Sequence, residues 1–428
     1  MRIVLIGATG FLGSAIHAAL AAQGHAVVAT CHRRAPRMAL PGTEWRALDI
    51  AKARAPRLTT LLQGADAVVN CAGLLQDNAW DRTGAVHAAG VEKLVQACTD
   101  SGVRRVIHFS AIGADRHAPT EFSRSKRAGE EILRQSGLDW VILRPSVVVG
   151  DGAFGGSALM RGLAALPLLP VMPDTAPLAI VQRKDIVRTV LFFLKPDAPA
   201  RIALDLAGPR ARRMTEVVAL YRAWLGWPPA REIKLPRPLA ALLYRLGDFA
   251  RALGWRPPLG STARREMVHG ATGDPAPWTA VTGIRPQGLE EALAQRTASV
   301  QERWFARLYL LKPVLFTVFA LFWIATGIIS LTIGYEIGVD LMLQAGAGVL
   351  AGPSVIAGAV ADLIVGVAIA LRRTTRQGLY GALGLTLFYV VAGSILTPWL
   401  WAEPLGPLLK IWPIMALNLV LLNILEER

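Results

Sequence analysis

Four apolar segments close the chain, at about residues 313–333, 352–371, 378–398 and 407–425. Each approaches the roughly 20 residues that carry a helix across a bilayer core. A backbone in hydrocarbon must satisfy its own hydrogen bonds, so such segments are expected as helices. The alternative is a large buried helical core. It would need polar faces to meet water, and these segments offer hardly any.

Lys and Arg near the span ends predict orientation. Arg303, Arg307 and Lys312 precede the first span, and Arg372, Arg373 and Arg376 stand between the second and third. The intervening loop 334–344 holds Glu336 and Asp340 without Lys or Arg, and 399–406 holds Glu403 with Trp399 and Trp401. Both basic clusters, and so both ends of the chain, are expected in the cytosol. The location implied is a multi-pass protein of the cell's inner membrane. Lys410 is the one charge that runs against the pattern. Asp362 falls near the middle of the second span, where a carboxylate is costly. It is either functional or matched to a polar partner inside the bundle.

Charge is distributed just as unevenly. Of 46 basic and 31 acidic residues, 41 and 25 precede residue 313, so the N-terminal part carries about +16 of a net +15. A face of that sign suits anionic ligands and anionic lipid head groups. Nucleic acid is not expected, because no basic-aromatic pattern or recognition motif accompanies the charge. Cys31, Cys71 and Cys98 lack metal-ligand spacing and read as reduced thiols, with no metal site expected. The opening apolar run Ile3–Ile6 is too short for a signal-peptide core, so insertion is expected to rely on the C-terminal helices.

The first 145 residues alternate strand-like and helix-like stretches. Residues 3–6, 26–30, 67–70, 106–110 and 140–143 read as buried strands; 11–23, 57–63, 82–100 and 121–135 read as helices. This alternation predicts an α/β fold, a Rossmann-type doubly wound parallel sheet. The expected organisation is a dinucleotide-binding domain over 1–225, a mixed substrate lobe and linker over 226–312, and an all-α transmembrane four-helix bundle over 313–428.

Residues 7–13 read GATGFLG between the first strand and an amphipathic helix. Gly7 permits the sharp turn, Gly10 lets the backbone approach a pyrophosphate, and Gly13 lets helix and strand pack closely. The phosphates would sit on the unpaired amides of the helix N-terminus. Gly7, Thr9, Gly10, Phe11, Leu12 and Gly13 are therefore the expected cofactor cradle.

On this motif the chain resembles the extended or atypical short-chain dehydrogenase/reductases, within them the NmrA-like proteins and the nucleotide-binding accessory subunit of mitochondrial complex I. Further segments match in order. Leu48-Asp49-Ile50 resembles the family's adenine-contacting Asp segment, and Asn70-Cys71-Ala72-Gly73 its Asn-Ala-Gly motif. Ser110 ends the fifth strand, where the family places its active-site Ser, and Arg144-Pro145-Ser146 resembles the Arg-Pro segment near the nicotinamide. The resemblance thus implies cofactor contacts from Asp49, Ile50, Ala72, Gly73 and Pro145. Residues 313–428 resemble a DoxX-type four-helix domain in span number and character.

The second strand ends Thr30-Cys31-His32-Arg33-Arg34. A carboxylate there would bond the ribose hydroxyls of NAD, whereas arginines pair with the 2′-phosphate of NADP. NADP(H) is accordingly favoured over NAD(H), with Arg33 and Arg34 as the ligands; solvated arginines are the alternative.

The family's Tyr-x-x-x-Lys signature here reads Phe122-Ser123-Arg124-Ser125-Lys126. Lys126 can bind the nicotinamide ribose, but Phe122 has no proton to give a developing alkoxide. The expected catalytic residues reduce to Ser110 and Lys126. Two readings stay open: an oxidoreductase acting on a quinone or other lipophilic acceptor, with Ser110, His117 or water as proton source, and an inactive NADP(H)-binding sensor or structural subunit. His17, His25, His87, His108 and His269 share no spacing and read as ordinary surface or core residues.

Overall fold

The computed structural model describes the chain except residues 33–39, 75–76, 78–81, 117–119 and 426–428. Two compact units are present. One comprises Met1–Phe249 with Pro257–Arg307, the other Ala250–Arg256 with Leu308–Arg428.

The first unit opens with β1 (Arg2–Ile6), α1 (Phe11–Ala22), β2 (Ala26–Cys31), β3 (Thr43–Ala47), α2 (Ala55–Leu62) and β4 (Ala67–Asn70). A π-helical turn, Ala85–Ala89, runs into α3 (Gly90–Asp100), followed by β5 (Arg105–Phe109), α4 (Glu121–Arg134) and β6 (Asp139–Pro145). Then come β7 (Val148–Val149), α5 (Gly155–Ala164), β8 (Leu168–Val171), β9 (Leu178–Ala179), β10 (Val181–Gln182), α6 (Arg183–Phe193) and β11 (Ile202–Leu206). The rest is β12 (Ala211–Arg212), α7 (Met214–Trp224), β13 (Arg231–Lys234), α8 (Arg237–Ala252), α9 (Ser261–His269), α10 (Ala276–Thr282), α11 (Leu289–Ala294) and α12 (Val300–Tyr309).

Seven strands form one parallel sheet in the order β11-β6-β5-β4-β1-β2-β3. Side chains alternate across it, and both faces are covered, as all-parallel sheets require. Ile3 and Leu5 pack with Ile16 and Leu20 of α1 and Ile186 and Val190 of α6. Val4 and Ile6 pack on the other face with Leu58, Leu62, Leu94 and Cys98. Each such side chain, fully buried, contributes roughly 1.5–3 kcal/mol. A separate core of Val149, Met160, Leu169, Val217, Tyr221 and Leu289 holds the lobe after β6 together.

The strand order reverses between β1 and β4. Ile6 at the end of β1 lies in register with Asn70 at the end of β4. Crevices at such switch points, outside the carboxyl ends of the strands, are where open α/β sheets bind ligands.

In the second unit, α13 (Leu311–Leu331), α14 (Tyr335–Gln344), α15 (Ala351–Ala370) with a leading 3-10 turn, α16 (Thr375–Leu396) and α17 (Ile411–Ile424) follow one another. Among the described residues three helices, Leu311–Leu331, Gly348–Ala370 and Thr375–Leu396, are long and apolar enough to cross a membrane, with mean hydropathies of 2.3, 2.0 and 1.8. Their apolar side chains face outward: Val318 is 54% exposed, Phe388 61% and Ile395 72%. A water-facing core would not leave such faces open, so the unit is membrane-associated.

Two features of this unit add detail to the expected outline. The fourth apolar segment does form a helix, but α17 has only 14 residues. At 1.5 Å per residue it spans about 21 Å, short of a bilayer core of about 30 Å. Pro404, Gly406 and Pro407 hold the preceding stretch in turns, so the helix begins only at Ile411. The expected loop over 334–344 is largely helical, as α14. Asp362 does have a polar partner inside the bundle, because the Tyr389 hydroxyl donates to its Oδ1 at 2.9 Å.

Candidate functional site

The glycine loop is built by close approach. Gly7 has φ +78°, the left-handed region that favours glycine. A Cβ on Gly13 would lie 2.1 Å from the Gly7 carbonyl oxygen, so α1 can pack this closely on β1 only with glycine there. Thr30 fastens the loop to β2: its hydroxyl accepts from Gly7 N at 3.1 Å and its carbonyl from Ala8 N at 3.0 Å. The first-turn amides of Phe11, Leu12 and Gly13 have no intrahelical acceptor by geometry. Neither a capping side chain nor an acidic residue competes for them, and Thr9 beside them is exposed.

Across the crevice, Asn70 shapes the neighbouring loop. Its Oδ1 accepts from Ala72 N at 3.1 Å, and its Nδ2 donates to His108 Nδ1 at 3.1 Å. Ala72 lies against Gly7, since a Cβ there would meet Ala72 N at 3.2 Å. Gly73 faces Lys126, whose Nζ would stand 3.4 Å from a Cβ on that residue. The structure thus brings the cradle, Ala72, Gly73 and Lys126 together.

Lys126 is buried, and its Nζ donates to the Phe109 carbonyl at 2.8 Å. Burial pulls its pKa down to about 8, against the opposing pull of Glu130 and Cys71. Ser110, the next residue after β5, is buried with a hydroxyl that has no protein partner among the described residues. His108 accepts from Asn70 through Nδ1, so its proton sits on Nε2, which also lacks a partner. Burial first, and the Lys126 charge second, push His108 down to about 3, so the ring is neutral.

The tyrosine position holds Phe122, whose ring meets His87 edge-on at 5.8 Å. His87 Nε2 accepts from Leu74 N at 3.0 Å, leaving Nδ1 to donate to Ser125 Oγ at 2.9 Å. Ser125 in turn donates to the Phe122 carbonyl at 2.9 Å. Burial also holds His87 far below the ordinary imidazole range. His87 therefore belongs to the pocket wall through its bonds to residues 74 and 125.

Asp49 and Ile50 lie beyond β3. Asp49 accepts from Ala51 N at 3.1 Å and meets His32 Nε2 at 3.3 Å, while Ile50 is buried. Pro145 closes β6, and its carbonyl accepts from Ile112 N at 3.2 Å. Arg144, the residue before it, is held within the fold. Its guanidinium is bound to Glu130, at 2.8 and 2.6 Å, and to Asp115 at 2.9 Å. Arg33, Arg34 and His117 lie outside the described residues.

Sequence reasoning passed over Glu266 of α9. Its carboxylate accepts from Thr120 Oγ1 and, at 3.2 Å, from Ser123 Oγ, beside the N-terminus of α4. Arg116 pairs with it at 3.1 Å. Glu266 is more than 140 residues away in sequence, in a stretch of short helices, and no local pattern marks it.

The residues present fit a dinucleotide: an open glycine cradle, uncapped first-turn amides and unpartnered buried donors at the end of β5. Comparison with known proteins agrees. A family model described as NAD(P)H-binding matches residues 7–163. One described as a DoxX-like family matches residues 320–419. A ceramide reductase of Caulobacter vibrioides is 27% identical over 273 residues, covering 62% of this chain and 84% of that protein. A photosystem II assembly factor of Synechocystis is 26% identical over 266 residues, covering 60% and 76%. Among solved structures, MoeE5 in complex with UDP-glucuronic acid and NAD has a TM-score of 0.54 at 20% identity, covering 72% of this chain and 99% of its own. A Staphylococcus aureus nucleoside-diphosphate-sugar epimerase reaches 0.55 at 19%, covering 68% and 99%. At these identities the two structures speak for the fold alone.

Proposed function

We propose that this chain, an NAD(P)H-binding protein of the atypical short-chain dehydrogenase type continued by a DoxX-like membrane domain, is a membrane-anchored reductase whose acceptor is lipophilic, a quinone in the simplest case. The observation that carries the reading is Phe122, packed on His87 beside an otherwise furnished pocket. Lys126 and Ser110 are in place; the acid is missing.

A bound reduced nicotinamide cofactor supplies hydride. A soluble ketone that takes hydride becomes an alkoxide and needs an acid about 3 Å from its oxygen. A quinone differs. Hydride adds to give a hydroquinone monoanion, stabilised by its ring, which takes a proton later from solvent. Lys126, cationic below a pKa of about 8, and the unengaged Ser110 hydroxyl are suited to stabilising such an anion. Lys126 would also hold the nicotinamide ribose. The Caulobacter relative, a reductase named for ceramide, is a precedent for a lipid substrate.

Three finer points belong to the same proposal. NADPH is preferred over NADH, through Arg33 and Arg34. Both basic clusters, at 303–312 and 372–376, face the cytosol. The membrane is the cell's inner membrane.

The test is NADPH oxidation by purified full-length protein with a panel of soluble aldehydes and ketones. The proposal expects no turnover above the protein-free rate. Efficient reduction of any of them by the unmodified protein would overturn it. The second reading, a non-catalytic NADP(H)-binding subunit, also draws on Phe122, and the Synechocystis relative is named as an assembly factor.

A further inference from the structure

The lobe after β6 delivers a cation to the glycine loop. Strands β7 and β10 pair in parallel, Gln182 beside Val149, which brings the start of α6 against the loop beginning at Gly150. Arg183, the first residue of α6, packs its guanidinium over the Phe11 ring, 4.8 Å from the centroid. Its NH1 reaches the Phe11 carbonyl only at 3.4 Å. On the same ring Phe154 stacks at 5.9 Å, nearly parallel at 8°.

Three guanidiniums gather here, with two carboxylates. Arg161 is buried and paired with Glu302 at 2.9 Å, and also donates to the Gly150 carbonyl at 2.7 Å. Arg296 is paired with Asp151 and lies 3.9 Å from Glu302. Both carboxylates are thereby committed. Arg183 makes no ion pair among the described residues, although it is half-buried. Burial lowers its pKa most, Asp151 pulls the other way, and the neighbouring Arg161 and Arg296 add smaller pushes downward. Asp151, shared with Arg296, offsets that charge only in part, which leaves the guanidinium fork open to a further anion.

We infer that Arg183 is a phosphate-binding residue of the dinucleotide site, reaching from the second lobe to the pyrophosphate held on the first turn of α1. Phe11 links the two: its backbone opens the helix whose amides are free, and its ring carries the guanidinium. Arginine is the side chain of choice for this task, because its fork bonds two phosphate oxygens at once. The cofactor would then be clamped from both lobes, by backbone amides on one side and a cation on the other.

The same chemistry would fit a phosphate on a substrate, and one experiment separates the sources. Full-length protein in detergent is titrated with NADPH by nicotinamide fluorescence, as Arg183→Gln, Arg183→Lys and unmodified forms, at several salt concentrations. The inference expects R183Q to bind roughly tenfold or more weakly, R183K less so. It also expects the salt dependence of the Kd to flatten in R183Q, since one phosphate contact is gone. A purely packing role would not change that slope. In a second arm, NADPH-saturated protein is melted with and without millimolar inorganic phosphate. Stabilisation of unmodified protein but not R183Q would assign Arg183 to a substrate phosphate instead. Unchanged NADPH affinity and salt slope, with no phosphate effect, would overturn the inference.

Discussion

Arg144 grips Glu130 through two parallel hydrogen bonds, Nε to Oε1 at 2.8 Å and NH2 to Oε2 at 2.6 Å. The pair joins β6 to α4, the helix that carries Phe122 and Lys126. Glu130's side chain is only 3% exposed, and removing Arg144 leaves it the longer 3.5 Å pairing with the more exposed Arg134 in place of two short hydrogen bonds. Arg144→Ala should destabilise the protein by roughly 2–3 kcal/mol, Arg134 compensating the carboxylate in part, whereas replacing both residues with apolar ones of similar volume should cost far less. Thermal midpoints of the two variants check this; equal losses would show that the pair is not coupled.

Lys126 predicts a specific pH dependence. Its native pKa of about 8 lies below the ordinary 10.5, chiefly through burial. Between those values the unfolded chain holds more protons than the native one. Stability from this residue therefore rises with pH across that window. Relative to Lys126→Met, the unmodified protein should gain up to roughly 3 kcal/mol on going from pH 7 to 10.5. Parallel stability curves for the two proteins would contradict a buried ammonium whose charge is disfavoured by burial.

The proposed preference for NADPH rests on Arg33 and Arg34 in the sequence. With no acid at the end of β2, a 2′-phosphate should gain a charge-assisted contact. NADPH should bind about tenfold or more tightly than NADH. Calorimetric titration with both cofactors measures this. The Arg33→Ala/Arg34→Ala double variant should lose the difference; equal affinities in the unmodified protein would remove the preference.

Orientation can be read with a reporter active only outside the cytosol, fused after Leu425. If α17 crosses the bilayer despite its 14 residues, the fusion gives no signal. A strong signal would mean that only the three long helices span.

What the residues disclosed in advance follows from where information is local. The glycine loop, the Asn70 turn and Lys126 lie at strand ends fixed by short apolar runs, so their convergence was legible. Two strands of the sheet were not. β3 reads Thr-Glu-Trp-Arg-Ala on an exposed edge and has no apolar run to betray it. β11 is a brief Ile-Ala-Leu-Asp-Leu between loops, and only pairing with β6 defines it. Glu266 and Arg183 reach their places through tertiary packing of the second lobe, for which no spacing rule exists. Arg144 illustrates the converse, a motif match whose side chain is committed to Glu130.

The central claim, hydride transfer from NADPH to a lipophilic acceptor without a tyrosine acid, is tested most directly in proteoliposomes. NADPH oxidation is followed at constant protein with and without a quinone in the bilayer, for unmodified protein and Phe122→Tyr. The account predicts oxidation that depends on the quinone and changes by no more than about threefold in F122Y, because no acid at that position takes part. Bound NADPH that stays reduced in the presence of every quinone tried would contradict it and leave the non-catalytic reading.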